Sequence, residues 1–140
     1  MSADKIFVDT NILVYGYDIS AGDKHRKASV TLKDLWDSGR GVLSTQVLQE
    51  FFVTVTRKLP MRMTTDDAKT IVSDLLKWDV AVIDGAAILE AIDLHKVYGY
   101  SFWDSLILVA AIKEGCAILL SEDLSSKRVV DGVTIKNPFE

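Results

Sequence analysis

The sequence predicts an α/β domain built around a largely parallel sheet. Short apolar β-type runs alternate with segments of helical periodicity along the whole chain, the pattern of strand–helix–strand crossovers. Glycines and a proline fall at the ends of these segments and punctuate them. The chain has 140 residues, of which 49% are hydrophobic and 26% charged. That is the composition of one folded domain with a core of its own.

Ile6, Phe7 and Val8 read as a buried strand that stops at Asp9. Ile12, Leu13, Val14 and Tyr15 follow in a segment that turns into a helix over 11–16. Residues 20–23 are turn-rich. Helical spacing resumes over 24–36 with Ala28, Leu32 and Leu35 inside, and Gly39 and Gly41 flank its end. Val42, Leu43 and Ser44 make a second strand. Leu48, Phe51, Phe52 and Val55 then fall at i, i+3, i+4 and i+7, the stripe of a helix. It ends near Lys58, because Pro60 pushes Leu59 out of helical geometry.

Thr65 followed by Asp66 and Asp67 is a helix start with acids in its first turn. Ala68, Ile71, Val72, Leu75 and Leu76 give that helix a continuous apolar stripe. Residues 80–83 are a third strand. A helix over 84–98 carries Ile88, Ala91, Ile92 and His95 on one face, and Gly99 stops it. The segment 101–114 is apolar nearly all round and reads as a central buried helix. Residues 117–120 form a fourth strand, and 133–135 a short fifth after the turn at Asp131 and Gly132. No internal repeat or low-complexity tract is present. The reading is one domain over residues 1–140.

Charge and cysteine content narrow the function classes. Lys and Arg number 16 against 20 Asp and Glu, a formal net charge of -4. That argues against a strongly basic nucleic-acid binder or a polybasic membrane anchor, although local clusters can still meet nucleic acid. The single cysteine, Cys116, rules out an internal disulfide and a zinc site built mainly on thiolates. It reads as an inert apolar filler. A reducing cytoplasm is the expected compartment. No basic stretch followed by an apolar run opens the chain, and the longest apolar run, 106–112, is too short to cross a bilayer. His25 and His95 stand in no metal-binding spacing.

In parallel α/β sheets, sites form at the carboxyl ends of strands where the strand order reverses. Acids gather at those positions. Asp9 ends the first strand, with Thr10 and Asn11 behind it. Glu50 lies in the first turns of the helix after Ser44. Asp104 opens the buried helix. Asp123 follows the fourth strand, beside Ser121 and Glu122. Each has a plain structural reading: Asp9 as a helix cap, Glu50 as a solvated helix position, Asp104 as part of a capping box with Ser101, Asp123 as a turn residue. Brought together, four carboxylates repel one another unless a cation joins them. Oxygen-only donors select a hard divalent ion, Mg²⁺ or Mn²⁺. The chemistry implied is phosphodiester hydrolysis.

Asp9, Thr10, Asn11, Ile12 and Leu13; Gln49, Glu50 and Phe51; Ser101 to Asp104; Leu120 to Leu124; and the closing Asn137, Pro138 and Phe139 together resemble the PIN-domain family. The match is closest to the VapC-type toxins of bacterial toxin–antitoxin pairs and covers essentially the whole chain. The resemblance implies a three-layer α/β/α sandwich with a mostly parallel sheet of four to five strands. It implies a Mg²⁺- or Mn²⁺-dependent endoribonuclease, acting on tRNA or rRNA. Asp9 and Asp104 match the principal metal ligands, with Glu50 and Asp123 completing the pocket. Ser121 and Asn11 match supporting positions, and Glu122 is expected to point away. The implied partners are RNA, a small antitoxin and a second copy of the chain.

Candidate phosphate contacts are Lys24, Arg26 and Lys27; Arg57, Lys58 and Arg62; and Lys127 with Arg128. Trp103 can stack on a base, but core packing is the favoured reading; Trp36 and Trp78 read as packing. A patch around Phe51, Phe52 and Val55, with the helices either side of Pro60, suits a dimer or antitoxin groove. Two alternatives stand beside the nuclease. One is a phosphoacceptor receiver domain, for which Lys136 is a candidate late lysine. The other is a PIN-like module that binds RNA or a partner without activity.

Overall fold

A computed structural model describes residues 4–124 and 128–140. Among the described residues, six strands form one sheet in the order β3-β2-β1-β4-β6-β5. In chain order these are β1 (Ile6–Val8), β2 (Gly41–Ser44), β3 (Asp79–Ala81), β4 (Ile118–Leu120), β5 (Val129–Val130) and β6 (Val133–Lys136). The pairings β1–β2, β1–β4, β2–β3 and β4–β6 are parallel, and only β5–β6 is antiparallel. Six helices connect them: α1 (Thr10–Tyr17), α2 (Asp23–Ser38), α3 (Thr45–Arg57), α4 (Thr65–Leu75), α5 (Gly85–Tyr98) and α6 (Phe102–Lys113). A single 3-10 turn, Ile19–Ala21, stands where the sequence reads as a turn.

The central strands show why this is a three-layer sandwich. Successive strand residues point to opposite faces. Yet Phe7 and Val8 in β1, and Val42 and Leu43 in β2, are all fully buried. Both faces are therefore covered, as parallel sheets require.

Local chemistry sets the boundaries. Lys58 caps α3 as the spacing before Pro60 predicts. Asp9, Ser44, Thr64, Asp84 and Ser101 each cap the helix that follows with a side-chain oxygen on a backbone N–H.

Several sequence expectations need correction. The sheet has six strands, not four or five, because Val129 and Val130 pair back onto β6. Asp131, at φ 46°, and Gly132, at φ 85°, supply the two positive-φ positions of that tight hairpin. On α5 the inward residues are Ala87, Ala91 and Leu94, while Ile88 and Ile92 face solvent. The two alanines let α5 lie close against α6, its main packing partner. On α4 only Ala68 and Leu75 are buried, and Leu76 is exposed. Trp36 is 44% exposed, against the packing expected of it, and leans on Trp78 with ring centroids 6.1 Å apart.

Candidate active site

The order of the sheet reverses beside β1: β2 and β3 lie on one side, β4 and β6 on the other. Loops leaving β1 and β4 diverge there and leave a crevice. The backbone N–H of Asp9 bonds to the carbonyl of Leu120 at 3.0 Å, so the ends of the two strands stay in register as they part. A cleft of about 620 Å³ opens at this point, and Asp9, Glu50, Asp104 and Asp123 all line it. Asn11, Thr54, Lys58 and Trp103 share its wall. The sequence-predicted acids thus meet in one place. They do not collapse into a cage: among the described residues, no three His, Cys, Asp or Glu side chains are grouped to hold a metal.

Asp9 is the buried acid. One oxygen, Oδ1, accepts from the N–H of Thr10 at 2.7 Å; the other, Oδ2, accepts from the Ser121 hydroxyl at 2.8 Å. Ser121 is itself fully buried, and its oxygen accepts two backbone N–H groups, from Asp123 and Leu124, each at 3.2 Å. That hydroxyl joins the first acid to the loop bearing the last. Burial pushes the Asp9 carboxyl up to about 6, and the negative charges of Asp104 and Glu50 add to the effect. Burial also raises Asp104, with Asp123 contributing repulsion.

Two further bonds aim the outer acids. The Thr10 hydroxyl donates to Glu50 Oε1 at 2.8 Å, and Asn11 Nδ2 donates to Asp123 Oδ2 at 2.9 Å. Asn11 Oδ1 accepts the N–H of Glu122 at 3.2 Å. One side chain of α1 therefore grips the β4 loop at two points. Ser44 and Ser101 are consumed as caps of α3 and α6, which fixes where Glu50 and Asp104 leave their helices.

Glu122 does turn away from the cleft. Its carboxylate takes the Tyr15 hydroxyl at 2.8 Å and the Lys24 ammonium at 2.5 Å. Lys24 also lies over the rings of Tyr15 and Phe139, and those two rings meet edge to face. This clasp was not legible beforehand. The one signal was the ordered set of Glu122 with the closing Asn137, Pro138 and Phe139.

Other candidates are sorted by their surroundings. Arg26 and Lys27 pair with Asp23, and Lys24 with Glu122, so that cluster is engaged internally. Arg128 stacks on Tyr98 and Tyr100; Lys127 lies outside the described residues. Lys58 is the cation that lines the cleft. Trp103 is not core: it is 63% exposed at the cleft wall. Phe51 and Val55 are fully buried and form no surface patch; the apolar groove on that side is lined instead by Leu48, Phe52, Val53 and Val72. Cys116 is buried, and burial lifts its thiol to about 12, in keeping with an inert filler. Lys136 is exposed and does not line the cleft, which removes the receiver-like lysine. Among the described residues, no helix is long and apolar enough to cross a membrane.

A doubly wound α/β domain with four acids at its switch point defines the class of this molecule. A model of the PIN domain matches residues 6–131, and the chain belongs to that family. Solved structures of similar fold include a toxin–antitoxin complex from Klebsiella pneumoniae, with 19% identity and a TM-score of 0.70 over 97% of this chain and 99% of that one. VapBC2 of Rickettsia felis, bound to a promoter DNA fragment, gives 17% identity and 0.65 over 94% and 97%. VapC20 of Mycobacterium tuberculosis, described as a toxin cleaving the sarcin–ricin loop, gives 20% identity and 0.61 over 82% and 87%. At these identities the likeness speaks to the fold. No curated protein matches the chain.

Proposed function

We propose that residues 1–140 form one PIN domain that acts as a divalent-metal-dependent endoribonuclease, the toxin of a toxin–antitoxin pair. The observation that carries this reading is the meeting of Asp9, Glu50, Asp104 and Asp123 in one cleft at the sheet's switch point, where burial and the charges of Asp104 and Glu50 raise the Asp9 carboxyl. Such a site is short of positive charge, and its donors are all oxygen. Both facts fit Mg²⁺ or Mn²⁺. The acids line one cleft, and Mg²⁺ takes one or two carboxylates and keeps several waters.

Asp9 and Asp104 would hold the ion, with Glu50 and Asp123 beside it. When bound, the ion supplies Lewis-acid stabilisation of charge on the phosphate. Thr10 and Asn11 hold Glu50 and Asp123 by one oxygen each, leaving the other oxygens free to face substrate. Either carboxylate can accept a proton from an attacking water. The water oxygen bonds to phosphorus, the P–O3′ bond breaks, and the 3′-oxygen takes a proton. The products are a 5′-phosphate and a 3′-hydroxyl.

The target is tRNA or rRNA, a choice supported by the sarcin–ricin loop specificity given for VapC20. A small antitoxin is the proposed partner, and its seat is the apolar groove between α3 and α4; a homodimer and a cytoplasmic location complete the reading. The test is incubation with total tRNA and rRNA in Mg²⁺, in EDTA, and with Asp9→Asn or Asp104→Asn. Cleavage with Mg²⁺ alone, leaving 5′-phosphate ends, is expected. Activity that survives EDTA and both substitutions, or 2′,3′-cyclic phosphate ends, would overturn it.

A further inference from the structure

Two side chains on the cleft wall have no role in the acid set, and both are disposed toward a ligand. Trp103 leaves 63% of its surface in water, a costly position for an indole. It is not loosely held. Phe102 meets it edge to face at 5.2 Å, and its carbonyl accepts Nε2 of the buried Gln46 at 3.2 Å. The backbone that carries the indole is therefore tied to the start of α3.

Lys58 caps the other end of the same helix. Glu50, Thr54 and Lys58 follow at four-residue spacing, and all three line the cleft. The other nearby basic cluster is tied up: Lys24, Arg26 and Lys27 each have a carboxylate partner. Lys58 lines an acidic cleft and enters none of the ion pairs formed among the described residues. An ammonium so placed is a seat for a phosphate.

Gln46, which holds Trp103, and Lys58 are separated by twelve residues of chain on α3 and its cap, a rise of about 18 Å. Glu50 lies between them. We propose that Trp103 and Lys58 are the two anchors of a track for single-stranded RNA along α3. The indole stacks on an unpaired base on one side of the acids, and the ammonium holds a flanking phosphate on the other. A duplex offers no free base face to the indole, so the track selects loops and unpaired segments. This inference rests on the nuclease reading of the acids and adds two residues that hold its substrate.

The test is binding of a fluorescently labelled, unstructured single-stranded RNA in Mg²⁺. An Asp9→Asn background keeps the RNA intact. Trp103→Ala is expected to weaken binding roughly 5- to 150-fold, with Trp103→Phe recovering part of the loss. Lys58→Gln is expected to lower the slope of log affinity against log salt by about 0.7, the signature of one lost phosphate contact on a single strand. Binding of the same sequence as a duplex is weaker and insensitive to Trp103. Unchanged affinity and salt slope in both variants, or no binding by the parent, overturns the track. Cleavage by the chain with Asp9 intact, measured alongside, separates the two readings. Cleavage with unaffected variants removes the track alone. Variant effects without cleavage remove the nuclease and leave an RNA-binding module.

Discussion

The hydroxyl of Ser121 has one proton, and Asp9 receives it, across 2.8 Å and 112 residues of chain. Its oxygen is already occupied by the N–H groups of Asp123 and Leu124. Asn11 ties the same two strand ends from the β1 side, through Asp123 and the N–H of Glu122.

Replacing Ser121 with alanine removes three bonds at once. It strands two backbone donors, one of them buried, and takes from Asp9 the donor that favours its charged form. Ser121→Ala is expected to destabilise the fold by about 2–4 kcal/mol. It should also push Asp9 above its already raised value of about 6. Urea unfolding reads the first, and a carboxyl NMR titration of Asp9 the second.

The raised Asp9 has a signed consequence for stability. Its folded value lies above the unfolded one, so the native state binds the extra proton between about pH 4 and 6. The stability this group contributes is present at low pH and lost as pH rises through 6, a loss of about 3 kcal/mol. A divalent cation restores it by compensating the charge. Mg²⁺ is therefore expected to raise the melting temperature clearly at pH 8 and little at pH 5. An equal rise at both values would show that Asp9 is not the group to which the ion responds.

The Glu122 clasp predicts a local effect in place of a global one. The Lys24–Glu122 pair is partly exposed, with side-chain exposures of 46% and 23%, so solvent screens it and breaking it costs the fold little. Lys24→Met or Glu122→Gln should leave the melting temperature nearly unchanged. Hydrogen exchange at the Glu122 and Asp123 amides should nevertheless accelerate, because the loop they lie on has lost a tether. Protection unchanged at those two amides would remove the clasp from any part in holding the loop.

Gly41 is required by a neighbour, not by its own backbone angles. A Cβ there would lie 2.3 Å from the Trp78 ring. Gly41→Ala should cost about 1–3 kcal/mol by overpacking. Combining it with Trp78→Leu should cost less than the two changes added separately. Chemical denaturation of the four chains measures the coupling.

Much of this was legible in the chain. Alternation of period gave the α/β class, Pro60 placed the end of α3, and the acids stood at strand ends where a parallel sheet opens. What was not legible depended on neighbours distant in sequence. Trp103 sits in a run that is apolar all round, and local pattern cannot tell which residue of the first turn protrudes beyond the sheet. Ile88 and Ile92 looked inward by size, but close packing on α6 favours the smaller Ala87 and Ala91. The resemblance already set Glu122 apart from Asp123, but the groups that turn it away, Tyr15 on α1 and Lys24 on α2, lie more than ninety residues off and were not legible. The strand β5 was missed because two residues carry too little periodicity to register.

The long span between Asp9 and Ser121 makes the cleft a report on long-range strand pairing. The first acid and the serine that donates to it meet because β4 lies beside β1. A change that unzips these two strands takes the crevice apart while leaving the capping and periodic signals of every helix in place. Loss of the site therefore reads as loss of the central strand pair and needs no helix to melt.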